Sequence, residues 1–199
     1  MFAYDGTNTR TWHTAIHWIE MPVYEDEGQA WTVLAGNVGN ELRRIRARIE
    51  GIVGDAPVLA ASGPLVSTPP ATAWSFREAE MALALLRNRD AETVLAYDEL
   101  GLQSLLLSVP VERLQAFVDG ALGPILDRPE LIETLRAWYA SNGSRAGVAE
   151  RLGIHRNSVG YRIGRIRELL GADPLNPDTA RTLQAALDAQ EVAAALGRR

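Results

Sequence analysis

Apolar residues recur at helical spacing on both sides of a glycine between residues 144 and 171. The first half predicts a short helix, which the Ser144 hydroxyl can cap. The apolar side of this helix consists of Val148, Ala149 and Leu152. Gly153 is expected to end it, because glycine readily adopts the left-handed backbone of a sharp exit. Ile154 follows and is expected to be buried. Together these signals predict a short helix that ends in a tight turn.

A longer second helix is predicted from about His155 onward, and it has two distinct faces. Its apolar stripe consists of Val159, Ile163, Ile166 and Leu170. Its opposite side carries Asn157, Tyr161 and Arg165, flanked by Arg156 and Arg167 on one edge and by Ser158 and Arg162 on the other. This arrangement predicts a helix-turn-helix, whose second helix enters the DNA major groove. The alternative is an ordinary helical hairpin with a solvated charged face.

The segments around this motif are also predicted to be helical. Residues 111–127 form a linking helical region. Residues 129–143 form a helix with apolar Leu131, Leu135 and Trp138, and it should pack behind the helix-turn-helix. A last helix, capped by Asn176, runs from about residue 177 to residue 196. These patterns predict a helical linker at 109–127 and an all-α domain at 128–199.

The N-terminal half follows a different pattern, in which β-branched and aromatic residues alternate between turn signals. Strands are predicted at residues 11–21, 30–36, 57–64 and 92–101. The first two are expected to form a hairpin around an acidic loop at 22–29. Helical spacing predicts helices at 37–51 and 74–88, and a further helix from 102 to 107. Residues 1–108 therefore predict an α+β domain with an antiparallel or mixed sheet and helices on one face.

Charge is distributed unevenly along the chain. Residues 141–170 contain six Arg and two Glu, a net charge of +4, whereas the whole chain carries −5. A basic segment on an acidic chain is typical of a phosphate-binding module. A second basic group, on the helix at 37–51, consists of Arg43, Arg44, Arg46 and Arg48. For this group a solvated face paired with nearby acids is favoured over a second nucleic-acid patch.

Composition excludes several kinds of site. The chain has no cysteine, which rules out disulfides and thiolate metal ligands. No stretch has the length and apolarity of a membrane span, and no signal peptide is visible, so a cytoplasmic location is expected. On the strand predicted for residues 11–21, His13 and His17 would share one face. Because no third ligand is nearby, a structural role is favoured, and no metal or other cofactor is predicted.

Residues 152–169, LGIHRNSVGYRIGRIREL, resemble the C-terminal helix-turn-helix of the PucR/CdaR class of bacterial transcription regulators. Gly160 and Gly164 depart from that pattern, since the family often has long or basic side chains there. They either allow the backbone to approach DNA closely or are tolerated substitutions. The resemblance implies a sequence-specific regulator of catabolic or metabolic genes that binds double-stranded DNA. Residues 102–126 are apolar enough to cover a partner as well as their own core, so a homodimer is predicted. The front domain is expected to dimerise or to sense a small-molecule effector. The alternative is an interaction module whose helix-turn-helix no longer binds DNA.

The resemblance extends into the N-terminal half, which looks like the GGDEF-like domain that precedes the helix-turn-helix in this class. It rests on Tyr4-Asp5, on the segment with His13, Ile16 and Trp18, and on residues 75–83 and 96–107. The corresponding turn, MPVYEDEGQA at residues 21–30, has no Gly-Gly-Asp/Glu-Glu-Phe run. A non-enzymatic domain is therefore expected. This class often has an upstream sensory region, and none precedes residue 1, so either the chain is a fragment or this domain is the sensor.

The predicted DNA-binding residues are Ser144, Arg145, His155, Arg156, Asn157, Ser158, Tyr161, Arg162 and Arg165. Asparagine can form paired hydrogen bonds to adenine, and arginine can do so to guanine, so Asn157 and Arg165 are expected to read bases. The other side chains are expected to contact the DNA backbone. For Asn157 an alternative stays open, because asparagine also caps helix starts.

Overall fold

The computed structural model describes residues 1–4, 6, 8–17, 19, 22–26, 28–54, 56–89 and 92–197. It contains two compact units. The first comprises Met1–Ser108 and Ala194–Arg199, and the second comprises Val109–Ala193. Among the described residues, no helix combines the length and apolarity that crossing a membrane requires.

The first unit is an α+β structure. Its elements are β1 (Phe2–Tyr4), α1 (Thr9–His17), β2 (Tyr24–Asp26), β3 (Gln29–Trp31), α2 (Val38–Val53), β4 (Val58–Ala61), α3 (Thr72–Leu86), β5 (Val94–Leu95) and α4 (Leu102–Leu106). Short 3-10 helices lie at Pro69–Ala71 and Tyr97–Glu99. The strand order is β2-β3-β1-β4-β5. All neighbours pair antiparallel except β4 and β5, which are parallel, so the sheet is mixed as predicted.

The strand predicted for residues 11–21 is wrong, because Thr9–His17 is a helix. Its buried residues are Trp12, Ala15 and Ile16, a helical spacing that places them on the core side of α1. The Trp12 indole stacks on the Tyr4 ring at a centroid distance of 5.3 Å. Burial of this apolar stripe therefore outweighs the high β-propensity of several of the individual residues. Four residues of the predicted motifs, Asp5, Trp18, Met21 and Glu27, lie outside the described part of the chain.

The hairpin is also placed differently from the prediction. It is formed by β2 and β3, with Tyr24 opposite Trp31 and Asp26 opposite Gln29, so part of the predicted acidic loop is a strand. Strand β1, which lies before the first predicted strand, is in the middle of the sheet. Phe2 pairs with Ala30 of β3 and with Ala60 of β4. The fourth predicted strand shortens to two residues, and the chain then enters a 3-10 helix.

The predicted helices of the first unit are confirmed to within a few residues. The α2 helix is capped by Asn37, whose side chain accepts from the Asn40 N–H, and it buries Leu42, Ile45, Ile49 and Val53. Three of its arginines pair with carboxylates: Arg43 with Glu99, Arg44 with Glu41, and Arg46 with Glu50. These pairs support the predicted solvated face rather than a second nucleic-acid patch.

The second unit is all-α. It contains α5 (Val111–Leu122), a 3-10 turn (Gly123–Ile125), α6 (Pro129–Ala140), α7 (Arg145–Leu152), α8 (Arg156–Leu170) and α9 (Pro177–Leu196), which continues into the residues assigned to the first unit. The α6 helix contacts both α7 and α8, as predicted for a helix behind the helix-turn-helix. The predicted linker at 109–127 lies within this same compact unit.

Local hydrogen bonds define the end of α6 and the start of α9. Asn142 and Gly143 have φ values of 48° and 77°, and the Gly143 N–H donates to the Trp138 carbonyl at 2.9 Å. This left-handed pair lies directly after Ser141 and ends the helix that was predicted for residues 129–143. The Asn176 side chain accepts from the Asp178 and Thr179 N–H groups, which confirms the predicted cap of α9.

Candidate nucleic-acid interface

The turn between α7 and α8 has the geometry that its sequence predicts. The Ser144 hydroxyl accepts from the Gly147 N–H at 3.2 Å and caps α7. Gly153 ends the helix at φ 63°, and the Ile154 N–H closes the last turn by donating to the Ala149 carbonyl at 3.0 Å. Ile154 itself is only half-buried, so the expectation of a buried side chain is wrong. A left-handed glycine thus sets the angle at which the chain enters α8.

The start of α8 is capped by His155 rather than by Asn157. The His155 Nδ1 accepts from the Asn157 backbone N–H at 3.2 Å. Among the described residues, the Asn157 side chain has no hydrogen-bond partner, and it is exposed. The capping role considered for Asn157 is therefore filled by His155. The Asn157 amide is left available to a ligand.

The two faces of α8 separate as predicted. Val159, Ile163 and Ile166 are buried, and Leu170 is half-buried at the end of the stripe. On the other side His155, Arg156, Asn157 and Ser158 are exposed, and the Tyr161 ring is 75% exposed. Tyrosine is on average only partly exposed in folded proteins, so the Tyr161 ring is unusually accessible to a ligand. Tyr161 lies one helical turn beyond Asn157 on the same exposed face, so a ligand lying along α8 would contact both side chains.

Several of the predicted residues line one open concavity of about 560 Å³. It is bordered by Asn157, Ser158, Tyr161, Arg162 and Arg165 of α8, and by Arg128, Glu130 and Leu131 near the start of α6. Ser144, Arg145, His155 and Arg156 lie outside its lining. Arg128 is a lining residue that the sequence did not reveal. Its only signal was its position directly before the predicted helix start at Pro129.

Five of the six arginines of residues 141–170 fall into two groups. Arg165 pairs with Glu168 at 2.6 Å, and Arg167 pairs with Asp173 at 2.9 Å. The Leu175 N–H and, secondarily, the Arg167 guanidinium hold the pKa of the Asp173 carboxyl below its usual value. By contrast, Arg145, Arg151 and Arg156 have no acidic partner among the described residues. These three charges are therefore free to meet an external anion.

Arg162 connects α8 to the helix behind it. Its Nη1 lies 3.2 Å from the Thr134 hydroxyl and 3.4 Å from the Glu130 carbonyl oxygen. Thr134 is fully buried, and its hydroxyl also donates to the Glu130 carbonyl at 2.7 Å. The Arg162 guanidinium consequently holds α8 against α6 while it borders the concavity.

Neither glycine of α8 is required by packing. A methyl group on Gly160 would lie 3.8 Å from the Arg145 Nη1, which is an ordinary contact, and one on Gly164 would have no neighbour within 4 Å. The Arg145 guanidinium of α7 lies beside Gly160 of α8. This contact places beside α8 a cation that has no acidic partner among the described residues.

Comparison with known proteins identifies the helical unit. Residues 131–189, which contain most of α6, all of α7 and α8 and the first part of α9, match the family described as PucR C-terminal helix-turn-helix domain. The match covers the capping residues, the glycine turn and the exposed face of α8 described above.

Relatives of known description extend the similarity toward the N-terminus. The chain is 30% identical over 133 residues to the purine catabolism regulatory protein of Bacillus subtilis, covering 64% of this chain and 24% of that protein. It is 29% identical over 164 residues to the carbohydrate diacid regulator of Escherichia coli, covering 73% and 40%. The chain thus spans less than half the length of either relative. A regulator of polyketide synthase expression from Bifidobacterium adolescentis is 17% identical, with a TM-score of 0.34 over 94% of this chain and 77% of that one.

Proposed function

We infer that this chain, a member of the PucR/CdaR class by its C-terminal helix-turn-helix domain, binds double-stranded DNA. We also infer that it regulates the transcription of catabolic or metabolic genes. The observation that carries this proposal is the outer face of α8. There an unpartnered Asn157 and a 75% exposed Tyr161 stand on a helix whose opposite stripe is buried. Both relatives are regulators by their descriptions.

The distribution of charge supports a division of labour on that face. Arg145 and Arg156 have no carboxylate partner among the described residues, and both are exposed beside the start of α8. Cations in this position neutralise phosphates and fix the helix in register, without reading sequence. Asn157, one residue further along, then reaches base edges. Arg165 is half-buried and paired with Glu168, so it must leave that carboxylate before it can contact guanine.

The discriminating experiment is a binding measurement at several salt concentrations. Duplexes are first selected from a random pool, and the affinity for the selected site and for unrelated DNA is measured by fluorescence anisotropy. A DNA-binding protein loses affinity steeply with salt, by about 0.9 decades per decade of salt for each phosphate contacted. Arg48→Ala, an exposed arginine of the first unit, serves as the control. Absence of duplex binding at low salt would favour the interaction-module alternative.

We propose further that the first unit is a GGDEF-like domain without enzymatic activity. The mixed sheet and the helices of the first unit support a GGDEF-like fold. The two relatives described above are regulators by their descriptions, which supports a non-enzymatic role. The turn between β2 and β3 runs from Asp26 to Gln29 with Gly28 at φ 78° and has no glycine-rich segment that could hold a triphosphate. Incubation with GTP and Mg²⁺ should therefore yield no cyclic dinucleotide. Detection of such a product would refute this part of the proposal.

An effector site is supported by a cavity of about 470 Å³ in the first unit. Its walls include Tyr24, Trp31, Val33, Leu65 and Phe76, and Trp31 packs edge-on against Phe76 at a centroid distance of 5.5 Å. Among the described lining residues there is no acidic or basic side chain. This lining suits an uncharged, largely apolar or aromatic small molecule.

Homodimerisation completes the proposal, together with a cytoplasmic location. Two leucines of α4 are exposed, Leu102 by 46% and Leu105 by 67%, and Phe117 of α5 is 41% exposed. Apolar side chains of this size on the surface are available for covering by a second copy. A two-fold dimer would present two copies of α8 to two half-sites.

A further inference from the structure

Three side chains that could bind a metal ion meet in the first unit. They are His13 and His17 on α1 and Glu25 on β2, and one ligand atom from each lies within 4.8 Å of the other two. The sequence alone placed the two histidines on a strand without a third ligand. The helix brings their rings to a centroid distance of 4.3 Å, and the hairpin supplies the missing carboxylate.

The arrangement follows from the amphipathic pattern of α1. Trp12 and Ile16 are buried one turn apart, so His13 and His17 occupy the adjoining, exposed stripe. Strand β2 is at the edge of the sheet. Its Glu25 Oε2 lies 2.5 Å from the His13 Nδ1. Two separate elements therefore contribute ligands at one solvent-accessible point.

A hydrogen bond prepares His17 as a ligand. Its Nδ1 lies 2.9 Å from the His13 carbonyl oxygen, which can only accept. The Nδ1 therefore carries the proton, and in the neutral ring the Nε2 lone pair is free. A bond from the second ring nitrogen to a backbone carbonyl is the usual partner of a metal-ligating histidine, because it fixes both the tautomer and the ring orientation.

We propose that His13, His17 and Glu25 form a binding site for a divalent transition metal ion of the Zn²⁺ type. Two imidazoles and one carboxylate are a recurring ligand set for Zn²⁺, with a fourth position open to solvent. Ligands at about 2.0–2.1 Å from a tetrahedral ion lie about 3.3 Å apart. The His13–Glu25 contact must therefore open slightly, and the exposed His13 ring, 63% accessible, has room to turn. The ion would fasten α1 to the hairpin.

The competing explanation is a simple ion pair between His13 and Glu25. It leaves His17 without a function, whereas a metal site requires all three side chains. The proposal is independent of DNA binding, because all three ligands belong to the first unit. The third histidine of the chain, His155, belongs to the second unit. Its imidazole provides an internal reference in the same molecule.

The test uses the full chain without a histidine tag, titrated with ZnCl₂. Calorimetry should give one equivalent per chain, and the imidazole resonances of His13 and His17 should shift in ¹H–¹⁵N spectra while those of His155 stay in place. Bound metal should also raise the thermal midpoint, since an ion that binds only the folded state stabilises it. No saturable binding, or equal shifts at all three histidines, would overturn the proposal.

Variants separate the metal site from the ion pair. His17→Gln leaves His13 and Glu25 in place and should weaken Zn²⁺ binding at least about tenfold, the loss typical of even an outer-shell partner. Asp26→Asn removes the neighbouring acidic charge on β2, whose side chain leaves the strand on the other face, and should leave the affinity unchanged. Wild-type affinity in His17→Gln would refute the three-ligand site. If circular dichroism showed that this variant misfolds, the wild-type resonances alone would decide.

Discussion

His155 and Asn157, at the start of α8, have different roles. His155 provides the cap through its Nδ1, and Asn157 supplies only its backbone N–H to that bond. The side chain of Asn157 can therefore be changed without removing a helix cap. The same cannot be said of His155, because losing a capping side chain typically costs about 0.5–2 kcal/mol. This difference makes position 157 a selective probe of recognition.

We predict that Asn157→Ala weakens binding to the preferred duplex by about 1–3 kcal/mol, the range for a paired contact to a base, and changes binding to random DNA little. The thermal midpoint should stay at the wild-type value, because the cap is intact. Anisotropy with both duplexes and a melting curve measure these quantities. An equal loss on every duplex would contradict base reading, and a lower midpoint would indicate a structural role.

Arginines on the same face should differ in their effect on stability. Arg156→Ala is expected to weaken binding to all duplexes and to reduce the salt slope by about 1, as for the loss of one phosphate contact. Arg162→Ala should weaken binding similarly and also lower the melting temperature, because its guanidinium bonds to Thr134 and Glu130 of α6. Salt titrations and calorimetric melting distinguish the two variants. A changed sequence preference with unchanged affinity would exclude the phosphate role for either residue.

At the scale of elements, local signals determined which predictions held. The α7 and α8 helices were predictable because Ser144, Gly153 and the apolar stripe of α8 act within a few residues of one another. The helix α1 was not, because Thr, Trp and Ile favour strands individually, and only the spacing of Trp12, Ala15 and Ile16 indicates a helix. Its burial depends on packing against α2, which is distant in sequence.

Non-local pairing explains the remaining differences. Strand β1 has three residues, too few for a period-two pattern, and its stability comes from pairing with β3 and β4 on either side. The site shows the same limit. The positions on α8 follow from helical periodicity, but Arg128 reaches the concavity only through the packing of α6, and Glu25 meets the histidines only through the hairpin.

The helix α8 contains a glycine that sequence and structure leave without a packing role. Because Gly164 has no atom near its missing side chain, Gly164→Ala should stabilise the second unit by about 1 kcal/mol, through the higher helix propensity of alanine. Gly153→Ala is the contrasting variant and should destabilise, since position 153 has φ 63°. Urea denaturation gives both values. Should Gly164→Ala be as stable as wild type but bind DNA less well, close backbone approach to DNA would be its function instead.

For the whole molecule, basic charge is concentrated in one internal segment of an otherwise acidic chain. Residues 141–170 carry a net +4, whereas the complete chain carries −5. An acidic protein with one basic surface is repelled by DNA in most orientations and attracted in one, so the field of the molecule contributes to the orientation of binding. A single α8 would contact few base pairs, so the proposed sequence-specific binding favours two copies of the chain.

We therefore predict a homodimer at micromolar concentration. The exposed leucines of α4, 46% and 67% accessible, supply apolar surface for the contact. Selected duplexes should contain two half-sites about one helical turn, or a multiple of it, apart. Multi-angle light scattering measures the mass, and Leu105→Glu should shift it toward the monomer, while Arg48→Glu, another exposed helical position, should not. A monomeric mass for the wild-type chain both with and without the selected duplex would exclude the dimer.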